Sequence, residues 1–313
     1  MEVTSETTQR FKADRRQFSV GLLSAVALAS GAAFSPLSAR AGRAVTIGLT
    51  KAVFVEDSLT YDLWTKYLES RLDRPVAFVE RKTYNDIQQL LRLNEIDFAW
   101  ICGYPYVLGE KERYLKYVAT PVIYGSTSYK IYLIVPSGSS VETLEDLRGK
   151  IFAFSDPDSV SFRALVGGYV EGGKRLRDLG AFFNVHFFTY NHVSTVQAVA
   201  DGLADGGSVD SHVWDVLARS HPELTEKTRI IAASENYGLP PIVASRHAPS
   251  ALIDWVGTIF RNMENDPDGQ TIQKQLQVSR FVTLDETAYD TIRKGPAKDR
   301  IDGLLADLGA EDQ

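Results

Sequence analysis

Cysteine is nearly absent: the 313-residue chain has one, Cys102. It cannot close an internal disulfide, so its thiol is either a small buried hydrophobe or a chemically used group. Basic excess is also absent, with 34 Lys and Arg against 40 Asp and Glu and a formal charge of -6. That excludes the basic footprint which nucleic acid or an anionic lipid surface requires, but not a small anion held by backbone N–H groups. Histidine is sparse, and His186, His192, His212, His221 and His247 form no ligand-spaced set with the cysteine, so no metal site and no cofactor is expected. After residue 41 no apolar run is long enough to span a bilayer, and no repeat or low-complexity tract interrupts the chain.

The N-terminus holds a pattern of its own. Arg15-Arg16-Gln17-Phe18 precedes an apolar stretch from Val20 to Phe34, followed by Ala39-Arg40-Ala41. This reads as a twin-arginine export signal over residues 1–41, cleaved before Gly42, with a short amphipathic helix as the plain alternative. With no cysteine at the cleavage point, no lipid anchor is expected, and the exported chain is expected to be soluble in the periplasm. Removing residues 1–41 takes five basic and three acidic groups, moving the formal charge to -8.

The remaining roughly 270 residues suffice for two lobes of ordinary size. Short β-branched or aromatic runs (45–49, 76–79, 98–101) alternate with helical patterns at 59–72 and 87–93, a βαβαβ series. Strands at 117–120 and 129–135 lead to the turn cluster Pro136-Ser137-Gly138-Ser139-Ser140. A second series follows, with strands at 151–154, 185–188, 207–209 and 230–232 and helices at 162–179, 195–203 and 213–218. The rest, from Leu239-Pro240-Pro241, has no α/β unit of its own and is expected to return to the first lobe, ending in a short surface helix after Lys294. The expected organisation is therefore α/β, with residues 42–134 and 237–313 in lobe 1 and 135–236 in lobe 2. Two crossover strands, at 132–135 and 232–240, would join them.

In open α/β sheets ligands sit beyond the carboxyl ends of the strands. That rule picks out Thr50-Lys51-Ala52, Cys102-Gly103-Tyr104, the segment Tyr124 to Tyr129, the loop Ser155 to Ser161, and His192 with Asp210. Each has a plain reading. Ser159, Ser161 and Asp210 are residue types that cap helices, His192 could be a neutral cap histidine, the tyrosines could be core or rim aromatics, and Cys102 could be inert packing. Together they could also seat an oxyanion, because hydroxyls and free N–H groups at a helix N-terminus favour negative charge.

The order of Asp97-Phe98-Ala99-Trp100, the Tyr124–Tyr129 cluster, Leu147-Arg148-Gly149-Lys150, the Ser155–Ser161 loop, His192 with Val196-Gln197-Ala198-Val199, Asp210 and Leu239-Pro240-Pro241 resembles the phosphonate and phosphite branch of periplasmic substrate-binding proteins. The resemblance covers most of the chain after the signal. It implies a type II-like, two-lobed architecture with an interlobe ligand cleft, and a binding role for Ser126, Thr127, Ser159, Ser161, His192 and Asp210, to which the strand-end rule adds Tyr104 and Tyr129. Cys102 departs from that pattern. In this respect the chain is similar to the arsenite-binding periplasmic proteins that report to a sensor histidine kinase controlling arsenite oxidase, in which a cysteine in this region contacts arsenic. That likeness implies arsenite as ligand, Cys102 as its bonding atom, a thiolate favoured by nearby N–H dipoles or a protonated His192, and closure as the signal. Two other classes compete. One is the binding component of an ABC importer for phosphite, phosphonate or phosphate. The other is a cysteine-dependent hydrolase using Cys102, His192 and Asp210, for which no nucleophile motif is present. The expectation is a binding protein and not an enzyme.

Overall fold

The computed structural model describes residues 43–50, 58–167 and 179–296. The export signal, Lys51 and Ala52, and the helix expected after Lys294 lie outside these, apart from the first residues of the last. The first lobe is built on a six-stranded sheet. It starts with β1 (Val45–Thr50), α1 (Ser58–Leu72), β2 (Val76–Arg81), α2 (Tyr84–Arg92), β3 (Phe98–Trp100), α3 (Gly103–Lys111) and β4 (Leu115–Val122). The chain then runs through β5 (Ser128–Tyr129) and β6 (Ile131–Pro136) into the second lobe.

That lobe contains β7 (Ile151–Phe154), α4 (Val160–Gly167), α5 (Leu179–Phe182), β8 (Val185–Phe188), α6 (His192–Ala200), β9 (Gly206–Asp210), α7 (Ser211–Ser220), α8 (Pro222–Thr225) and β10 (Thr228–Ala233). The return brings β11 (Tyr237–Gly238), β12 (Ile242–Ser245), α9 (Ser250–Asn262), α10 (Pro267–Gln275), β13 (Arg280–Val282) and α11 (Asp290–Lys294).

Strand order is β13-β4-β12-β3-β1-β2 in the first sheet and β10-β6-β9-β7-β8 in the second. In the first, β1 pairs in parallel with β2 and β3, while β12 enters antiparallel between β3 and β4. In the second, β7 pairs in parallel with β8 and β9, and β6 and β10 are antiparallel additions. Parallel strands covered on both faces need near-continuous apolar runs. Accordingly, Phe98, Ala99 and Trp100 are all buried, as is every residue of β9. The first lobe's core centres on Trp64, which is wholly buried and packs edge-on to Trp100 and Phe260. Full burial of one such side chain is worth about 1.5–3 kcal/mol relative to leaving it in water.

Of the two expected crossovers, 232–240 contains the observed passage at Tyr237–Gly238, while 132–135 does not. Residues 132–135 belong to β6 inside the second sheet, and the crossing is carried by the two-stranded ribbon that pairs Tyr129 with Tyr237 and Ser128 with Gly238. The helix α3 is an addition to the expected elements, with Gly103 and Pro105 near its start. Both fall in its first turn, where the missing proline N–H has no intrahelical partner to lose. Helices α2 and α6 each begin three residues before the expected start. Thr83 closes a capping box with Asp86, and Asn191 accepts from the N–H groups of Val193 and Ser194. The expected helix over 162–179 is described as α4 and α5, with 168–178 outside the described residues.

Candidate functional site

Five helices begin at one place. Tyr84, Gly103, Val160, His192 and Ser211 are the first residues of α2, α3, α4, α6 and α7, and each helix follows a strand or the turn after it. Their N-termini bring partial positive charge towards a common point, although the first amides of α2, α4 and α7 already donate within the protein. There lies a cavity of about 20 Å³ lined by Tyr84, Trp100, Ile101, Cys102, Pro121, Ile123, His192, Asp210, His212 and Pro240. One water needs roughly 10–15 Å³ by the same measure, so the space suits a ligand of a few heavy atoms. Among the described residues, no lysine or arginine lines it.

Close packing holds the second-lobe side of the site in register. Gly207 in β9 lets α6 approach: a Cβ there would stand 2.9 Å from Thr195 Cγ2 and 3.1 Å from Val199 Cγ2. This brings the Asp210 N–H to donate to His192 Nδ1 at 3.3 Å. Nδ1 is thus the acceptor, and a neutral ring carries its proton on Nε2. Nε2 lies 3.4 Å from Asp210 Oδ2. His192 Nε2 and Asp210 Oδ1 are buried with no hydrogen-bond partner, and the buried Tyr129 hydroxyl interacts with Cys102 and Asp210. Because His192 and Asp210 also line the cavity, these two atoms are where a bound molecule would find partners.

Cys102 occupies the N-cap position of α3, but its side chain does not cap that helix. Its Sγ accepts instead from Val160 N–H, the first amide of α4, at 3.4 Å. Burial pushes the thiol up to about 12, the Asp210 charge adds to this, and the amides of Val160 and Tyr104 oppose it. Burial likewise drives His192 down to about 3, and loss of solvent together with the His192 charge drives His212 to about 3. Burial raises Asp210 well above the carboxylate range. The expected thiolate, favoured by N–H dipoles or by a protonated His192, is opposed by these shifts. At neutral pH the site holds a thiol and neutral imidazoles, because desolvation outweighs the helix dipoles.

The sequence-predicted residues divide into three groups. Cys102, His192 and Asp210 line the cavity, and Tyr129 stands beside it, edge-on to His212 at 5.0 Å. Ser159 and Ser161 are buried one layer back. Ser159 Oγ accepts from Ser161 N–H, which caps α4, and the Ser161 hydroxyl bonds both Ser159 and Ser155, so the capping reading describes Ser159. Asp210, by contrast, makes no side-chain cap bond on α7. Tyr104, Ser126 and Thr127 do not line the cavity. The ring of Tyr104 lies under the Arg163 guanidinium at 4.8 Å. Ser126 is exposed, with its hydroxyl donating to Ser128 C=O at 2.7 Å, because Tyr124 and Gly125 take positive φ and turn the hairpin outward. Thr127 is half-buried and its carbonyl accepts from Leu239 N–H.

Tyr84 and His212 were missed. Tyr84 opens the helix after β2, so the strand-end rule applied to that strand finds it, and His212 lies two residues beyond Asp210.

Contacts between the lobes surround the cavity. Asp156 is buried, with Oδ2 accepting from Tyr84 N–H at 3.2 Å and Oδ1 from Asp158 N–H at 2.7 Å. Gln88 donates across to Asp158 at 3.3 Å. Lys82 sits over the Tyr190 ring at 4.3 Å, and Arg219 over Tyr124 at 3.5 Å. Burial raises Asp156 to about 6 against the opposing pull of the two amides. The lobes are thus closed on each other around Cys102, which has no exposed surface.

Residues 56–289 match the family model described as the periplasmic substrate-binding protein of phosphonate ABC transporters. Among solved structures, the chain is similar to a binding protein component of an ABC phosphonate transporter from Pseudomonas aeruginosa, at 19% identity and TM-score 0.71, over 86% of this chain and 98% of that one. It is also similar to PhnD1 of Prochlorococcus marinus, solved with methylphosphonate, at 18% identity and TM-score 0.68, over 82% and 97%. An alkanesulfonate-binding protein of Xanthomonas axonopodis pv. citri gives 22% identity and TM-score 0.52, over 75% and 79%. At these identities the likeness to the solved structures is one of fold. No helix among the described residues is long and apolar enough to cross a membrane.

Proposed function

The chain belongs to the family of periplasmic substrate-binding proteins of phosphonate ABC transporters, and from that premise we propose that its closed cavity takes a small oxyacid, arsenite, bonded through Cys102. The family is one of binding proteins, and no turnover step is assigned to the site. The observation that carries the ligand is the lining. It offers a thiol, neutral imidazoles and a carboxyl raised by burial, with no lysine or arginine among the described residues. A neutral trihydroxy acid fits such walls, whereas a dianion would lose its hydration without gaining a cation.

Bonding needs no thiolate. The Cys102 thiol condenses with one As–OH: the S–As bond forms, one As–O bond breaks, and the thiol proton leaves with that hydroxyl as water. His192 Nε2–H and Asp210 Oδ1 then serve the two remaining hydroxyls, one as donor and one as acceptor. The soft sulfur selects arsenic over phosphorus. By this reading Tyr129 completes the polar wall, while Ser159 and Ser161 act one layer back by fixing the amide of Val160. The closed form is what a partner reads, because a ligand shifts a two-state protein only through its preference for one state.

Family membership favours a second reading, the ligand-binding component of an importer that delivers phosphite, a phosphonate or phosphate to an ABC permease, with Cys102 as packing. Under the first reading the partner is the periplasmic domain of a sensor histidine kinase, and export follows the twin-arginine route. Calorimetric titration of the reduced protein and of Cys102→Ser with arsenite, phosphite, phosphate and methylphosphonate separates the two. Arsenite binding that disappears in the serine variant supports the thiol as recognition element. Binding of a phosphorus oxyanion by both proteins, with arsenite bound by neither, establishes the importer component instead.

A further inference from the structure

Two peptide carbonyls of the returning chain are held beside the cavity by the first lobe. Trp100 Nε1 donates to Pro240 C=O at 2.8 Å, and Ile101 N–H donates to Pro241 C=O at 3.2 Å. Trp100, Ile101, Cys102 and Pro240 line the cavity, so these two bonds fasten the returning chain to the wall that carries the thiol. The residue before them, Leu239, is fully buried, and its carbonyl accepts from Tyr289 Oη at 2.8 Å.

Tyr289 ends a directed chain of hydroxyls. With its one proton given to Leu239, its oxygen accepts from Thr120 Oγ1 at 2.8 Å. Thr120 has then spent its own proton and accepts from Tyr117 Oη at 2.9 Å, while that Tyr117 proton also reaches Val282 C=O at 3.2 Å. Tyr117 Oη in turn accepts from Leu284 N–H at 3.0 Å. The donors all run towards Leu239, and burial of Thr120 and Tyr289 lets each bond polarise the next. The same stretch of chain touches the site at two further points. The Tyr289 ring lies against Gly238, where a Cβ would stand 2.8 Å from Cε1, and Ile292 lies against Gly103, where a Cβ would collide with it.

We infer that residues 286–294 position the first-lobe wall of the cavity, with the Tyr289 hydroxyl as the positioning group. It acts through Leu239 on Pro240 and Pro241, and through them on Trp100, Ile101 and the adjoining Cys102. Ile292 bears on Gly103, the residue on the other side of the thiol. Without the hydroxyl, the buried Leu239 carbonyl loses its partner and Thr120 its acceptor, so holding residues 239–241 in place becomes less favourable and the two bonds at the wall loosen. The consequence for binding rests on the cavity being the ligand site.

The test compares Tyr289→Phe, which keeps the ring and removes only the hydroxyl, with Tyr106→Phe. Tyr106 packs 4.7 Å from Tyr289 between ring centroids, but its hydroxyl bonds Glu110 within α3 and not the returning chain. Hydrogen exchange of Trp100 Nε1–H and the Ile101 amide is followed by NMR in the ligand-free protein, against the amides of β9 as a measure of unfolding. Arsenite and phosphite are titrated into each protein by calorimetry. The expected result in Tyr289→Phe is exchange at both groups at least about tenfold faster relative to β9, with weaker binding of whichever probe the wild type binds. Tyr106→Phe should change both by less than about twofold. Thr120→Val, which removes the preceding hydroxyl, should show the same changes in smaller measure and decides if Tyr289→Phe does not fold. Unchanged exchange, equal acceleration in Tyr106→Phe, or faster exchange with unchanged affinity overturns the positioning role. If the wild type binds neither probe, the ligand reading fails, and the exchange comparison alone decides whether Tyr289 positions the wall.

Discussion

Replacing Asp156 with asparagine should remove a defined part of the pH dependence of ligand retention. Asp156 belongs to the loop after β7, yet it meets the first amide of α2 across the cleft. In the closed form its carboxyl is raised to about 6 by burial, with Asp158 raising and Arg163 lowering it in smaller measure. Once the lobes part, the wall formed by α2 leaves and the group returns towards its ordinary value of about 3.9. The closed form therefore holds this proton more tightly. Its contribution to closure is full below about pH 3.9 and is lost as the pH rises through about 6. Between about pH 7.5 and about pH 5 the closed-to-open ratio should rise about tenfold from this group alone, roughly 1.4 kcal/mol.

His192 and His212 pull the other way, since both are neutral in the closed form and take up protons more easily when wetted. The informative quantity is thus the difference between wild type and Asp156→Asn. The assay is the arsenite dissociation constant at the two pH values, arsenite being uncharged throughout, with small-angle scattering of the ligand-free protein as an independent measure of closure. Identical pH profiles for the two proteins would refute the reasoning.

Ser126→Ala should leave oxyacid affinity unchanged within about twofold, since that hydroxyl bonds only within its own exposed turn, and a tenfold loss by calorimetry would return Ser126 to the site. Gly207→Ala should lower stability by about 1–3 kcal/mol, read from denaturant midpoints, because its Cβ would press Thr195 and Val199 and lift α6 from β9. The same shift should weaken binding through His192. Unchanged stability would show that α6 has room to yield.

Cys102, His192 and Asp210 could be read from the sequence because the rule that places ligands at strand ends needs only the position of the strand and the residue after it. It worked where the strand was unmistakable, as with Phe98-Ala99-Trp100. Tyr84 escapes that rule because the apolar periodicity starts only at Ile87, and it is the Thr83–Asp86 capping box that moves the helix start forward. Ser126 and Thr127 misled because a hydroxyl beside a crossover strand carries no sign of which way its turn faces, a matter settled by positive φ at Tyr124 and Gly125. The protonation of Cys102 could not be read at all. Helix N-termini lie in the local sequence, whereas the burial that opposes them depends on how distant parts of the chain pack around the thiol.

The sealing of the cavity bears on time as well as affinity. With Cys102 at zero exposure and His192 at 1%, a molecule held against them sits deep between the lobes, and its departure is eased when they part. Where no bond to sulfur holds it, the ligand's residence time then follows the lifetime of the closed form, to which contacts off the cavity wall such as Arg219 over Tyr124 contribute. A partner that samples the closed surface would thus receive a pulse whose duration is fixed by the protein. Concentration outside would govern only how often the pulse is sent.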